Sequence, residues 1–252
     1  MVRPLGRVRL VIAVGLATLN ACTPPATVGL SAAPARGPLA SRGPDATASG
    51  FVVSTDGAIV TNRHVVSGCR SVSVRTDSAP SAPAHVVALH AQEDLAVIRA
   101  AAPFPTVAAF RSGAHIRPGD DVVAVGFPLA GLLAEEPSVT TGAVNALAGI
   151  YNNRSLLQMS APVQQGSSGG PLFDASGHVI GIVVTKLNAR IVAEEMGDLP
   201  QNVNFAIKAE IARVFLEEQG IAPQAAASIT RLSNADVGDI GRRVTVMVEC
   251  YR

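Results

Sequence analysis

In Pro162-Val163-Gln164-Gln165-Gly166-Ser167-Ser168-Gly169-Gly170-Pro171, a serine precedes two glycines and follows a third two places earlier. This is how a β-sheet protein presents a nucleophilic hydroxyl on a sharp loop. Glycines reach backbone angles that side chains forbid, so the chain can turn within a few residues. The amides of such a loop can then point at one spot, where a carbonyl oxygen becomes negative during acyl transfer. Gly/Ser clusters also serve as plain turns. The loop therefore acquires chemical meaning only from partners elsewhere in the chain.

Two distant segments supply those partners. Ile59-Val60-Thr61-Asn62-Arg63-His64-Val65-Val66 is an apolar strand running into a histidine. Glu93-Asp94-Leu95-Ala96-Val97-Ile98-Arg99 places an aspartate at the start of another. A serine nucleophile needs a base to take its proton, and the base needs a carboxylate to fix its tautomer and steady its charge. His64, Asp94 and Ser168 fill these roles in the chain order His, Asp, Ser. Taken singly, His64 reads as a core histidine at a strand end; the ordered Asp and Ser make it a base. Glu93 competes with Asp94, which is preferred because it directly precedes Leu-Ala-Val. Ser167 competes with Ser168, and only Ser168 is followed directly by both glycines.

With these segments in view, the chain resembles the trypsin-like serine peptidases, most closely the bacterial HtrA/Deg branch. The resemblance spans residues 48–220 and includes Ser49-Gly50-Phe51-Val52-Val53, Gly119–Pro128, Val139-Thr140-Thr141-Gly142, Gly177–Ile182 and Asn204-Phe205-Ala206-Ile207. It implies an all-β fold of two six-stranded antiparallel barrels, the chymotrypsin fold, with the triad between them. It also implies an oxyanion hole built from the backbone N–H groups of Gly166 and Ser168. Ser167 stands where trypsin carries an aspartate that pairs with a newly cut N-terminus, so that activation route is not expected. Pro162 stands where trypsin has its pocket-base aspartate. Val163 falls in the pocket wall, and Val183 where glutamate-specific relatives place a histidine. These three favour a small or medium apolar residue before the scissile bond. Lys186, near the pocket rim, either narrows the mouth, attracts an acidic substrate, or is a solvated lysine at a strand end. HtrA relatives commonly carry a PDZ domain after the catalytic one; the residues after Gly220 are too few for it, and none is expected.

The 252 residues carry 20 basic and 19 acidic side chains, a balance that does not favour nucleic acid or an anionic surface. Apolar residues make up 48% and there is no Trp, so Val, Ala, Ile and Leu must fill the core. About 170 residues is a comfortable size for two small barrels. Arg3, Arg7 and Arg9 followed by the apolar Leu10–Leu19 read as an export signal over 1–21, too short to span a bilayer as a helix. Leu19-Asn20-Ala21-Cys22 resembles a bacterial lipobox, with Cys22 the lipidated mature N-terminus and membrane anchor. An ordinary signal peptide cut nearby is the alternative. Residues 22–48 read as a flexible linker, low in charge and rich in Ala, Pro and Gly.

The first barrel is expected over about 49–111, with a hairpin across Asp56-Gly57. The second is expected over about 119–206, with Val179–Val184 as a buried strand. Residues 208–219 show apolar residues at helical spacing, and Gly220 reads as the stop. The extension 221–252 contains an alternating segment, 244–250, expected to return to the edge of the first barrel. Exported proteins meet an oxidising compartment, and with Cys22 lipidated an even pair remains. Cys69 and Cys250 then form either a disulfide or two buried thiols, the bridge being the preferred reading. The histidines lack metal-ligand spacing, and neither a metal nor a cofactor is expected.

The function these residues imply is an exported serine endopeptidase acting on polypeptides of the cell envelope through an acyl-enzyme. The alternatives are a peptide-binding protein on a peptidase scaffold and an esterase using the same triad.

Overall fold

The computed structural model describes residues 43–76, 80–130, 132, 136–185 and 202–252. These belong to one compact unit, Arg42–Arg252. The expected signal peptide, Cys22, nearly all of the linker and Lys186 lie outside the described residues.

Short β-rich segments punctuated by Gly and Pro close into two antiparallel barrels. Six strands form the first: β1 (Ala46–Val52), β2 (Ala58–Thr61), β3 (Ser71–Arg75), β4 (Ala82–Leu89), β5 (Ala96–Ala100) and the C-terminal strand β14 (Thr245–Tyr251). Around the barrel they run β1-β14-β3-β4-β5-β2. The turn expected at Asp56-Gly57 joins β1 to β2, with Gly57 at φ +93° and the Val53 N–H donating to Ala58 C=O. Ala48, Val52, Ile59, Ile98, Val246 and Val248 pack within this barrel.

The second barrel contains β7 (Asp121–Gly126), β8 (Ser138–Ala146), β9 (Leu156–Met159), β10 (Pro171–Asp174), β11 (Val179–Val184) and β12 (Asn204–Lys208). Pairing of β10 with both β7 and β11 closes it. Every residue of β11 is buried, as its unbroken apolar run requires. Two short strands, β6 (Phe110–Ser112) and β13 (Ala225–Ala227), continue the sheet in parallel beyond β11. Phe51 of β1 and Phe110 of β6 meet with ring centroids 6.1 Å apart, joining the two halves through buried aromatic contact.

The single turn α1 (Arg63–Val66) follows β2 directly. Helix α2 (Ala209–Glu218) buries Ala209, Ala212, Phe215 and Leu216, one stripe of its surface. It ends where Gly220 takes φ +72°. The Gly220 N–H donates to Glu217 C=O and the Ile221 N–H to Leu216 C=O, the two bonds of a Schellman stop.

Three features depart from what the sequence suggests. The strand expected at 244–250 does not pair along one edge of the first barrel but lies between β1 and β3, completing it. The first strand starts at Ala46, inside the segment expected to be linker, because Cys250, Glu249 and Val248 pair with Ala46, Thr47 and Ala48. Helix α3 (Asn234–Val244) has no counterpart in the sequence reading. Its start is a capping box: Ser233 Oγ accepts from Asp236 N–H at 3.1 Å, and Asp236 Oδ2 accepts from Ser233 N–H at 3.3 Å.

Candidate active site

The end of β2 and the one-turn α1 carry Asn62, Arg63 and His64 to the rim of the first barrel. Asp94 comes from the loop entering β5. The His64 backbone N–H donates to Asp94 Oδ1 at 2.8 Å, and His64 Nδ1 lies 2.5 Å from Asp94 Oδ2. One carboxylate thus holds both the backbone and the ring of the histidine. The Asn62 carboxamide donates to the Asp94 carbonyl at 2.8 Å, and the Arg63 guanidinium donates to His90 C=O at 2.9 Å. The two residues preceding His64 therefore grip the Asp94 loop. The His64 and Asp94 side chains are each 22% exposed, so the ring remains open to a ligand.

Ser168 sits on the loop between β9 and β10. Its Oγ is 2.5 Å from Thr185 Oγ1 and accepts from the Thr185 N–H at 3.2 Å. Among the described residues, no hydrogen bond joins Ser168 to His64. With 3% of the residue exposed, the hydroxyl is turned inward against Thr185. Sequence reasoning missed Thr185, because its pairing with Ser168 depends on how β11 ends beside the loop.

The loop's glycines are required by space. Gly166 has φ +98°, and a Cβ there would lie 2.4 Å from Phe127 O. Gly169 has φ +85°, and its Cβ would meet Ser49 O at 2.2 Å and Thr61 Oγ1 at 2.4 Å. The loop is thus pressed against the first barrel. Its peptides are held both from outside and by a turn within the loop. Leu129 N–H donates to Gln165 C=O at 2.8 Å, Gly170 N–H to Ser167 C=O at 3.0 Å, and Ser49 N–H to Ser168 C=O at 2.9 Å. In a trans peptide the N–H points opposite to the C=O. Anchoring the Gln165 and Ser167 carbonyls therefore sets the directions of the Gly166 and Ser168 amides. Neither of these amides donates to another described residue.

A cavity of about 100 Å³ opens beside the loop, lined by Pro162, Val163, Gln164, Ser167, Val183 and Thr140 among others. Three of the four residues read from the sequence as the specificity pocket share this one cavity. The fourth, Lys186, lies outside the described residues. Cys69 and Cys250 are joined in a disulfide with Cα atoms 5.5 Å apart.

Residues 48–182 match the model of the trypsin-like peptidase domain. The chain belongs to that family. A DegP-like probable periplasmic serine endoprotease of Brucella suis is 39% identical over 183 residues, covering 69% of this chain and 33% of the relative. The zebrafish (Danio rerio) serine protease HTRA1B is 36% identical over 182 residues, covering 69% and 35%. An uncharacterized protein of Sinorhizobium fredii, y4bJ, is 38% identical over 228 residues, covering 90% of this chain and 35% of its own length. The chain therefore spans about a third of the length of these relatives. Among solved structures, the serine endoprotease from Yersinia pestis superposes with a TM-score of 0.54 at 25% identity, covering 71% of this chain and 64% of that one.

Proposed function

We propose that this chain is an exported serine endopeptidase that cleaves polypeptides through an acyl-enzyme, using His64, Asp94 and Ser168. The observation that carries the reading is the double grip of Asp94 on His64. A ring whose Nδ1–H donates to a carboxylate keeps its Nε2 lone pair for a proton acceptor's work, and the carboxylate steadies the imidazolium that follows. Ser168 Oγ attacks the scissile carbonyl carbon as His64 Nε2 takes its proton. The Gly166 and Ser168 amides receive the oxyanion, and His64 returns the proton to the departing amine as the C–N bond breaks. Water then hydrolyses the acyl ester by the same route. The inward hydroxyl must first rotate about its Cα–Cβ bond from Thr185 toward His64. Such bonds commonly tighten only when substrate is bound.

The small apolar cavity supports preference for a small or medium apolar side chain before the scissile bond. Pro162, Val163 and Val183 supply no charge to attract a basic one. Export is supported by the basic-then-apolar start of the sequence and by the periplasmic naming of the DegP-like relatives. A mature chain anchored through lipid on Cys22 belongs to the same proposal, with protein processing or quality control in the cell envelope as its setting. A fluorophosphonate probe tests the chemistry. It labels the wild type and not Ser168→Ala, and peptide turnover falls by roughly 10³-fold or more in Ser168→Ala and His64→Ala. Unchanged turnover in Ser168→Ala rules out the serine mechanism. For the anchor, intact-mass analysis of the cell-derived protein should show a diacylglyceryl-type adduct on Cys22; an unmodified N-terminus beyond that residue refutes it.

A further inference from the structure

We propose that Ser49 is the positioning residue of the oxyanion hole, acting from the first barrel on a loop that belongs to the second. The proposal rests on the peptidase reading above. Ser49 lies in β1 with none of its surface exposed. Its Oγ donates to Gly166 C=O at 2.7 Å and accepts from Phe127 N–H at 2.9 Å. The direction of both bonds is forced. An amide N–H can only donate and a carbonyl can only accept, so the single hydroxyl proton must point at Gly166.

Gly166 and Ser168 are the two residues whose amides would receive the oxyanion, and Ser49 holds a carbonyl of each. Its hydroxyl fixes the peptide after Gly166, and its backbone N–H fixes the peptide after Ser168 at 2.9 Å. The Ser49 carbonyl is itself occupied, accepting from Thr61 Oγ1 at 2.8 Å. With φ +98°, Gly166 is at a position where the backbone has wide freedom. Leu129 holds the peptide on one side of it and Ser49 the peptide on the other. Without the hydroxyl, the Gly166 carbonyl and the Phe127 amide are left buried and unpaired. Rotation of the Gly166 peptides relieves that cost and misaims the amide donor. Ser49 touches no reacting atom; it acts through Gly166.

The test is Ser49→Ala in the full chain, with active sites counted by fluorophosphonate labelling. The substrate is a peptide p-nitroanilide with a small apolar residue before the scissile bond, and the inhibitor is a peptidyl trifluoromethyl ketone of the same sequence. Its tetrahedral adduct places an oxyanion in the hole. We expect kcat per labelled site to fall about 10- to 100-fold, less than the loss of a donor itself, with KM within about twofold. The inhibition constant of the ketone should rise by a similar factor. Turnover per labelled site and ketone affinity both within about twofold of wild type would overturn the role, as would a rise in KM alone. A merely structural serine lowers the labelled fraction and the melting temperature but leaves turnover per site unchanged. Should Ser49→Ala fail to fold, Ser49→Cys, similar in shape with a weak donor, carries the same comparison. A wild type that is neither labelled nor active, or turnover surviving in Ser168→Ala, would instead overturn the peptidase reading.

Discussion

Gly169 shows at the level of one residue how the Ser168 loop is tied to its surroundings. A methyl group there would need the space held by Ser49 O and Thr61 Oγ1, both within 2.4 Å, at a positive φ. The loop would have to lift from the first barrel. Gly169→Ala should therefore lose about 2–4 kcal/mol of stability, combining overpacking with left-handed strain, and should turn over substrate far more slowly. Gly68, at φ +77° with nothing within 4 Å of an added Cβ, provides the control. Gly68→Ala should cost only about 1–2 kcal/mol and leave turnover per active site intact. Urea titrations of both variants check the difference; equal losses would refute the close-approach account. The three candidate site residues stand out in the sequence because each sits in a short local pattern, whereas Ser49 and Thr185 make contacts spanning 117 and 17 positions. No local pattern announces such contacts, although Ser49 stood in a stretch that resembled the family.

Among the elements, α3 shows why local propensity misleads. Gly238 and Gly241 weaken a helix, and no helix is expected over Asn234–Val244 from the sequence. The glycines are there because the helix lies close against the second barrel. A Cβ on Gly238 would meet Val139 at 3.0 Å, and one on Gly241 would meet Val125 at 2.5 Å and Phe173 at 2.9 Å. Packing outweighs propensity, and the capping box was the signal that remained in the sequence. Ser233→Ala removes that cap and should lower stability by about 1 kcal/mol without altering turnover, as thermal melts and kinetics can check. The extension also docks through side chains. Ser228 Oγ hydrogen-bonds Asp174 and lies 2.9 Å from His178 Nδ1, fixing the segment after β13 to the hairpin of β10 and β11. Glu249, 7% exposed on β14, accepts from Ser73 and Ser81 hydroxyls at 2.6 and 2.7 Å.

For the whole molecule, the decisive feature is that the last strand closes the first barrel. β14 pairs with β1 from Ala46↔Cys250 to Phe51↔Thr245, and with β3 from Met247↔Arg75 to Tyr251↔Ser71. The alternating Val246 and Val248 made a strand legible, but its place between two strands was not. Pairing across such a separation is decided by which edges remain unpaired after the local hairpins form. Removing 245–252 would expose the backbone groups of both β1 and β3. It would also release the strand carrying Ser49, and with it one support of the loop at Ser168. The disulfide guards the same closure, joining β14 to the segment after His64 across 181 positions. The chain-entropy model gives a bridge of this span about 5 kcal/mol as an upper figure, with about 2–4 kcal/mol the usual measured range. We expect Cys69→Ser/Cys250→Ser to fold, because the strand keeps hydrogen bonds on both sides, but to melt well below the oxidised wild type. Reductant should lower the melting temperature of the wild type and leave that of the double variant unchanged. Truncation after Val244 should go further, giving a protein that aggregates or resists fluorophosphonate labelling, because two long edges are exposed. A truncated chain that stays monomeric and labels at the wild-type rate would show that the barrel stands without its last strand, and that its closure serves only stability.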